Sequence, residues 1–234
     1  MNEEPGLNDL IKQAGLWVTY ESGLRLKNRF VPRDAQYIDD LCRACLDDRT
    51  VTLPPSTVVY RARINPPERE GAALPMSEMR EPPPEKATDG RINPAGLPCF
   101  YAALDPQTAL AEVRPWRAAA LTIASFTTTR PIVVVDLRLE GQRSAALWQV
   151  AHMIQRPVHE EDPLRYLGTQ YLAERLKAAQ AGGLLYDSAL GPYDKARDTK
   201  GTNVALFSSE ALKDGKGELW RVRDVKYDAD PRPE

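Results

Sequence analysis

Two arginines on alternate positions of one short segment are the first residues with chemistry to offer. Tyr60-Arg61-Ala62-Arg63 lies within Val58 to Ile64, a run whose Val, Tyr and Ile content predicts a strand. Alternation puts both guanidinium groups on one sheet face. An arginine that faces a cleft needs an anionic partner. A pyrophosphate suits it, because a planar guanidinium binds two phosphate oxygens at once. A solvated strand face is the plain alternative. A second cluster is Gly90-Arg91-Ile92-Asn93-Pro94-Ala95-Gly96, where two glycines and a proline shape a turn that presents Arg91 and Asn93. Tyr101 follows and offers a flat ring for stacking, although a tyrosine at a strand end also fits a core. A third is Thr108 to Trp116, in which Glu112 sits one helical turn after Thr108 on the same face. A carboxylate near a helix C-terminus is disfavoured by the helix dipole, so its placement invites a functional reason.

Several familiar chemistries are missing. The glycines around Arg91 do not form G-x-G-x-x-G, and no β-α-β unit surrounds them. Ser188, in Tyr186-Asp187-Ser188, lacks a G-x-S-x-G elbow, and His152 and His159 give no triad order. His159-Glu160-Glu161-Asp162 reads as a solvated helix start. The three cysteines are too few and odd in number for a disulfide scaffold. Cys42 and Cys45 form a C-x-x-C inside a helical stretch, and they read as small half-buried residues rather than a redox or zinc pair. No metal is signalled.

Lys plus Arg is 31 and Asp plus Glu is 33, a formal charge of −2. This excludes the basic footprint of a direct nucleic-acid binder and the polybasic segment of a membrane-surface protein. No apolar run reaches membrane-span length, and Met1 to Gly6 is acidic with no signal-peptide core after it, so the cytoplasm is the expected location.

The elements that must position these side chains can be read in outline. Residues 6–16 and 33–48 predict helices, the second with Ile38, Leu41, Cys42, Cys45 and Leu46 at three- and four-residue steps. A boundary near residue 50 separates this helical section, 1–50, from a larger domain, 51–234. After the strand at 58–64 comes a proline-rich stretch, 65–98, of the length expected for a binding loop or lid. Cys99 to Ala103 predicts a short strand. Asp105 caps a helix with Pro106 at its first position and Pro115 beyond its end. Strands at 120–128 and 132–139 flank Thr129-Arg130-Pro131, a turn signal that predicts a hairpin. Helices at 143–154 and 163–180, and strands at 184–186, 203–207 and 218–227, complete an α+β chain with a largely antiparallel sheet. The tail from Asp228 is polar.

Taken in order, these segments resemble the RES domain family, named for an arginine, a glutamate and a serine. The matching stretches are Tyr60-Arg61-Ala62-Arg63, Pro82 to Gly96, Tyr101-x-Ala103, Thr108 to Pro115, Asp136-Leu137, Tyr186-x-Ser188 and Gly201 to Phe207. The resemblance implies an ADP-ribosyltransferase-like fold, a split and mostly antiparallel β core flanked by helices, with a cleft for NAD. It implies a toxin that cleaves the nicotinamide–ribose bond by hydrolysis or phosphorolysis and so depletes cellular NAD. NAD is then substrate rather than cofactor. Transfer of ADP-ribose to a protein or nucleotide is the alternative, and a non-catalytic binding module is a further one. Arg91, Glu112 and Ser188 correspond to the naming residues and are the expected catalytic set. Tyr60, Arg61, Arg91, Asn93, Tyr101 and Ser188 are expected to bind NAD, with Tyr101 stacking on nicotinamide or its ribose. Arg63, Arg114 and Lys200 are candidate ligands for an acceptor phosphate. A protein antitoxin is the implied partner, and a homodimer is compatible. Ile92 departs from the aromatic residue common in the family, and Asp187 from a common proline.

Overall fold

A computed structural model describes residues 5–226 except 34, 141–143, 157–161, 163, 165, 192 and 195–198. His159, Glu160 and Glu161 and the tail from Asp228 therefore lie outside the described residues. The chain begins with α1 (Leu7–Leu26), α2 (Ala35–Arg49), β1 (Thr50–Leu53) and β2 (Val58–Ile64). The proline-rich stretch carries a short helix, α3 (Met76–Met79), and two single-turn helices. Then come β3 (Phe100–Ala103), α4 (Pro106–Glu112), β4 (Ala120–Thr128), β5 (Ile132–Asp136), α5 (Ala145–Gln155) and α6 (Leu167–Ala178). The last are β6 (Gly183–Asp187), β7 (Tyr193–Asp194), β8 (Thr199–Lys200), β9 (Thr202–Leu206) and β10 (Leu212–Arg221).

Eight strands form one sheet in the order β1-β5-β6-β9-β3-β2-β4-β10, and β7 pairs with β8 apart from it. Every pair is antiparallel except β5 with β6, whose parallel connection needs the crossover supplied by α5 and α6. The sheet divides between β3 and β2, which share the single bridge Tyr60↔Ala103. On either side the pairing is continuous: β2 runs from Val58↔Thr127 to Ile64↔Leu121 along β4, and all of β3 runs along β9. This is the split, mostly antiparallel core that the family resemblance implies.

The predicted hairpin is corrected. β4 pairs with β2 and β10, and β5 pairs with β1 and β6. Apolar residues on both strands need a facing layer, and stacking one half of the sheet over the other supplies it. Val59, Phe126, Ile132, Val134 and Leu206 share one core, with the Phe100 and Phe126 rings edge to face at 5.0 Å. Thr129-Arg130-Pro131 crosses between the halves, and the Thr129 N–H donates to the Ala211 carbonyl. Thr128 clips this crossing to the neighbouring one at Pro54 to Thr57. Its hydroxyl donates to the Pro54 carbonyl at 2.7 Å, and its N–H donates to the Thr57 carbonyl at 2.9 Å.

The first helix runs ten residues beyond the predicted end, because Trp17, Tyr20 and Leu24 bury its far half. Leu7, Ile11 and Val18 stay exposed on the opposite side, and apolar residues on both sides blur the helical period. Trp17, Ile38, Cys45, Ile154, Leu172, Val135 and Leu184 form a second core, so α1, α2, α5 and α6 cover one face of the β1-β5-β6-β9-β3 half. Cys42 and Cys45 are free and buried here. Burial pushes the Cys45 thiol up to about 12.

Candidate active site at the sheet division

Where β2 and β3 part, a cleft of about 340 Å³ opens, within the span of small-molecule sites, roughly 300–1,000 Å³. Its walls come from four places in the chain: Tyr60, Arg61 and Ala62 of β2; Asp89, Gly90 and Arg91 of the proline-rich segment; Tyr101 and Ala102 of β3; and Ala109, Glu112 and Val113 around α4. Tyr166, Tyr186 and Asn203 close it. Arg61, Arg91, Tyr60, Tyr101 and Glu112, drawn from a stretch of more than fifty residues, thus meet around one hollow.

Glu112 is set by the short helix that carries it. Asp105 caps α4, its carboxylate accepting from the Thr108 N–H at 2.8 Å and the Thr108 hydroxyl at 2.6 Å. Thr108 is fully buried. A side chain at Gly201 would collide with it, so the glycine lets α4 lie close to the start of β9. The result aims Glu112 at Asn203. Glu112 Oε1 accepts two hydrogen bonds, from Ser188 Oγ at 2.5 Å and from Asn203 Nδ2 at 2.7 Å. Among the described residues no hydrogen bond reaches Oε2.

Ser188 lies beside Glu112, just past the end of β6. Its hydroxyl donates to Glu112 and accepts from the N–H groups of Leu190 and Gly191 at 3.1 and 2.6 Å. That uses its donor and both acceptor positions. It is 1% exposed and lies outside the cleft lining. Ser188 thus faces Glu112 and does not line the open cleft. Asn93 uses its amide within its own loop and on Tyr101. Its Nδ2 donates to the carbonyls of Thr88, Pro94 and Leu97, and its Oδ1 accepts from the Tyr101 hydroxyl at 2.7 Å. It folds the loop and is also absent from the lining.

The loop is braced from two further directions. The buried Gln170 of α6 donates to the Gly90 and Asn93 carbonyls at 2.9 and 3.0 Å. The Tyr101 hydroxyl accepts from the Ile92 N–H at 3.1 Å. Both ends of that phenol are engaged, and burial holds its pKa well above the ordinary value. A Cβ at Gly90 would strike both Asn93 Oδ1 and the Tyr101 hydroxyl, which explains the glycine.

Arg91 Nη1 donates to the Ile154 and Arg156 carbonyls at 2.9 and 2.7 Å, at the end of α5. Its guanidinium also sits 5.8 Å from the Tyr166 ring centroid. Those partners are neutral, so the positive charge stays available to an anion. Arg61 spans the division, Nη1 donating to the Tyr101 carbonyl at 3.2 Å, and it stacks 5.3 Å from the Phe100 ring centroid. Desolvation, followed by the charge of Arg63, lowers Arg61 to about 10. It remains protonated at neutral pH, and an incoming anion would relieve that cost. Arg63 shares its sheet face, as alternation predicts, but donates to the Arg80 carbonyl and does not line the cleft. Lys200 is exposed.

Asn203 and Gln170 escaped the sequence reading as site residues. Asn203 belongs to a stretch used for the resemblance, but only its placement beside Glu112 reveals a contact. Tyr186 is fully buried against the cleft, its pKa raised by burial and then by the Glu112 charge.

The RES domain profile matches residues 58–231, and the chain belongs to the RES domain family. Its fold can be set beside a chain from the crystal structure of the M. tuberculosis MbcT–MbcA toxin–antitoxin complex. That chain is 19% identical, with a TM-score of 0.46, and the match covers 80% of this chain and 94% of that one. A search of curated proteins found no match. Among the described residues no helix is long and apolar enough to cross a membrane.

Proposed function

We propose that this protein cleaves the nicotinamide–ribose bond of NAD and acts as the toxin of a toxin–antitoxin pair. The observation that carries the reading is the meeting of two arginines with one carboxylate in a single cleft at the sheet division. Arg61 and Arg91 have neutral hydrogen-bond partners and suit the two phosphates of a dinucleotide. Anchoring the pyrophosphate fixes the sugar near Glu112, so positioning contributes directly to rate. As the glycosidic bond breaks, its electron pair leaves with the nicotinamide nitrogen and positive charge grows on the ribose. The Glu112 carboxylate stabilises that oxocarbenium-like state or holds the ribose hydroxyls through Oε2. An oxygen of water or phosphate then bonds to the anomeric carbon. Membership of the RES family supports the toxin assignment and an antitoxin as partner.

The test incubates purified full-length protein with NAD, with and without inorganic phosphate, and follows products by mass spectrometry. Free nicotinamide with ADP-ribose marks hydrolysis, and nicotinamide with a phosphate ester of ADP-ribose marks phosphorolysis. Label moving from NAD into lysate macromolecules would instead favour ADP-ribosyl transfer. Intact NAD beside folded protein would contradict the proposal.

A further inference from the structure

We infer that Asn203 is a positioning residue for Glu112, fixing which oxygen of that carboxylate faces the ligand. This role rests on the NAD-cleavage reading above. Asn203 sits in β9, paired with Ala103 on one side and Tyr186 on the other, so its backbone is held from both flanks. It is 3% exposed yet borders the cleft. Its Nδ2 donates to Glu112 Oε1, while its Oδ1 is buried with no hydrogen-bond partner among the described residues.

That unsatisfied oxygen is informative. Rotating the amide by half a turn would exchange its oxygen and nitrogen, but it would then press an acceptor against a carboxylate oxygen. Glu112 thus selects the orientation, and the buried carbonyl is left unsatisfied, at a cost to stability. A leucine keeps the branched shape without that penalty, although its methyl groups are bulkier than the amide atoms. A buried amide that leaves its own carbonyl without a partner in order to donate to a carboxylate in a cleft is explained by what it does to that carboxylate.

The geometry shows what that is. Ser188, just past the end of β6, and Asn203, in β9, bring two donors to the same Oε1 from different parts of the chain. Two convergent donors fix the plane of the carboxylate, where one alone would leave it free to rotate. Oε2 is thereby aimed away from both. Loosening it should affect the transition state more than substrate binding, because the sugar acquires its charge only there.

The experiment measures kcat, KM, melting temperature and pH–rate profile for nicotinamide release by the full-length wild type, Asn203→Leu and Asn203→Asp. For Asn203→Leu, kcat should fall about 100-fold, with KM nearly unchanged in the folded variant. Asn203→Asp keeps the size but places a second carboxyl beside Glu112. Two such neighbours cannot both ionise readily, and the protonated aspartic acid can donate where the amide did. Its kcat should therefore recover as pH falls and decline as pH rises, unlike the wild type. A purely structural role would lower melting temperature and leave kcat of the folded variants alone. A kcat for Asn203→Leu within about threefold of wild type, or an unshifted profile for Asn203→Asp, overturns the role. Should Asn203→Leu fail to fold, the isosteric Asn203→Asp decides. Wild type that releases no nicotinamide sinks the functional reading and this role together, whereas active wild type with active variants sinks only the role.

Discussion

Two carboxylates of the molecule, Asp136 and Glu112, are held in opposite ways. Asp136, at the end of β5, is 6% exposed and surrounded by cations: Arg138 reaches Oδ1 at 2.9 Å and Oδ2 at 2.7 Å, and Arg49 approaches Oδ2 at 3.7 Å. Burial pushes its pKa up, but the Arg138 hydrogen bonds and charge outweigh burial and hold the carboxyl below its ordinary value. Glu112 is held by a serine and an asparagine instead, and the arginines that share its cleft have other hydrogen-bond partners. A carboxylate that ties elements together is best neutralised by its neighbours. One that must meet a growing positive charge is best gripped by neutral donors, which orient it and leave its charge unspent. Proximity of acid and base is thus a poor guide to function, and the identity of the partners is a better one.

The sharpest way to break this contrast is to neutralise each carboxylate. Glu112→Gln should lower kcat for NAD cleavage by about 1,000-fold, with NAD affinity by calorimetry and melting temperature close to wild type. Full activity in the folded variant would remove Glu112 from the chemistry. Asp136→Asn should do the reverse, leaving kcat/KM intact while costing about 1 kcal/mol in denaturant unfolding, because the half-buried Arg138 loses a counter-charge but keeps solvent and other acidic neighbours. The same pair gives a pH signature. Folding lowers the Asp136 pKa, so its contribution is complete above the unfolded value and lost as pH falls through the folded one. Acid-side loss of stability should be shallower in Asp136→Asn. Gly90→Ala should cost about 2 kcal/mol by overpacking and weaken NAD binding, since its Cβ displaces the Asn93–Tyr101 brace. A smaller effect is expected for Arg61→Met. NAD affinity should drop about tenfold, or ~1.4 kcal/mol, with little change in melting temperature, because a desolvated cation is removed along with its hydrogen bond.

Much of the scaffold was legible because its signals are local. Asp105 and Pro106 mark the start of α4 in any context, and the β-branched run at 58–64 needs no neighbour to be read as a strand. The hairpin failed for a tertiary reason: a proline turn looks the same whether the next strand pairs beside the last or stacks above it. Arg61, Arg91, Tyr101 and Glu112 were legible as a set through the family resemblance. The contacts of Ser188, Asn93 and Asn203 were not, because a hydroxyl or an amide takes its partners from whichever groups the fold brings within about 3 Å.

The most direct measurement is the rate of nicotinamide release from NAD by the purified wild-type chain, with folding monitored in the same sample. Steady release that disappears in Glu112→Gln is the expected result. No release by folded wild type, or equal release by wild type and Glu112→Gln, would contradict the account.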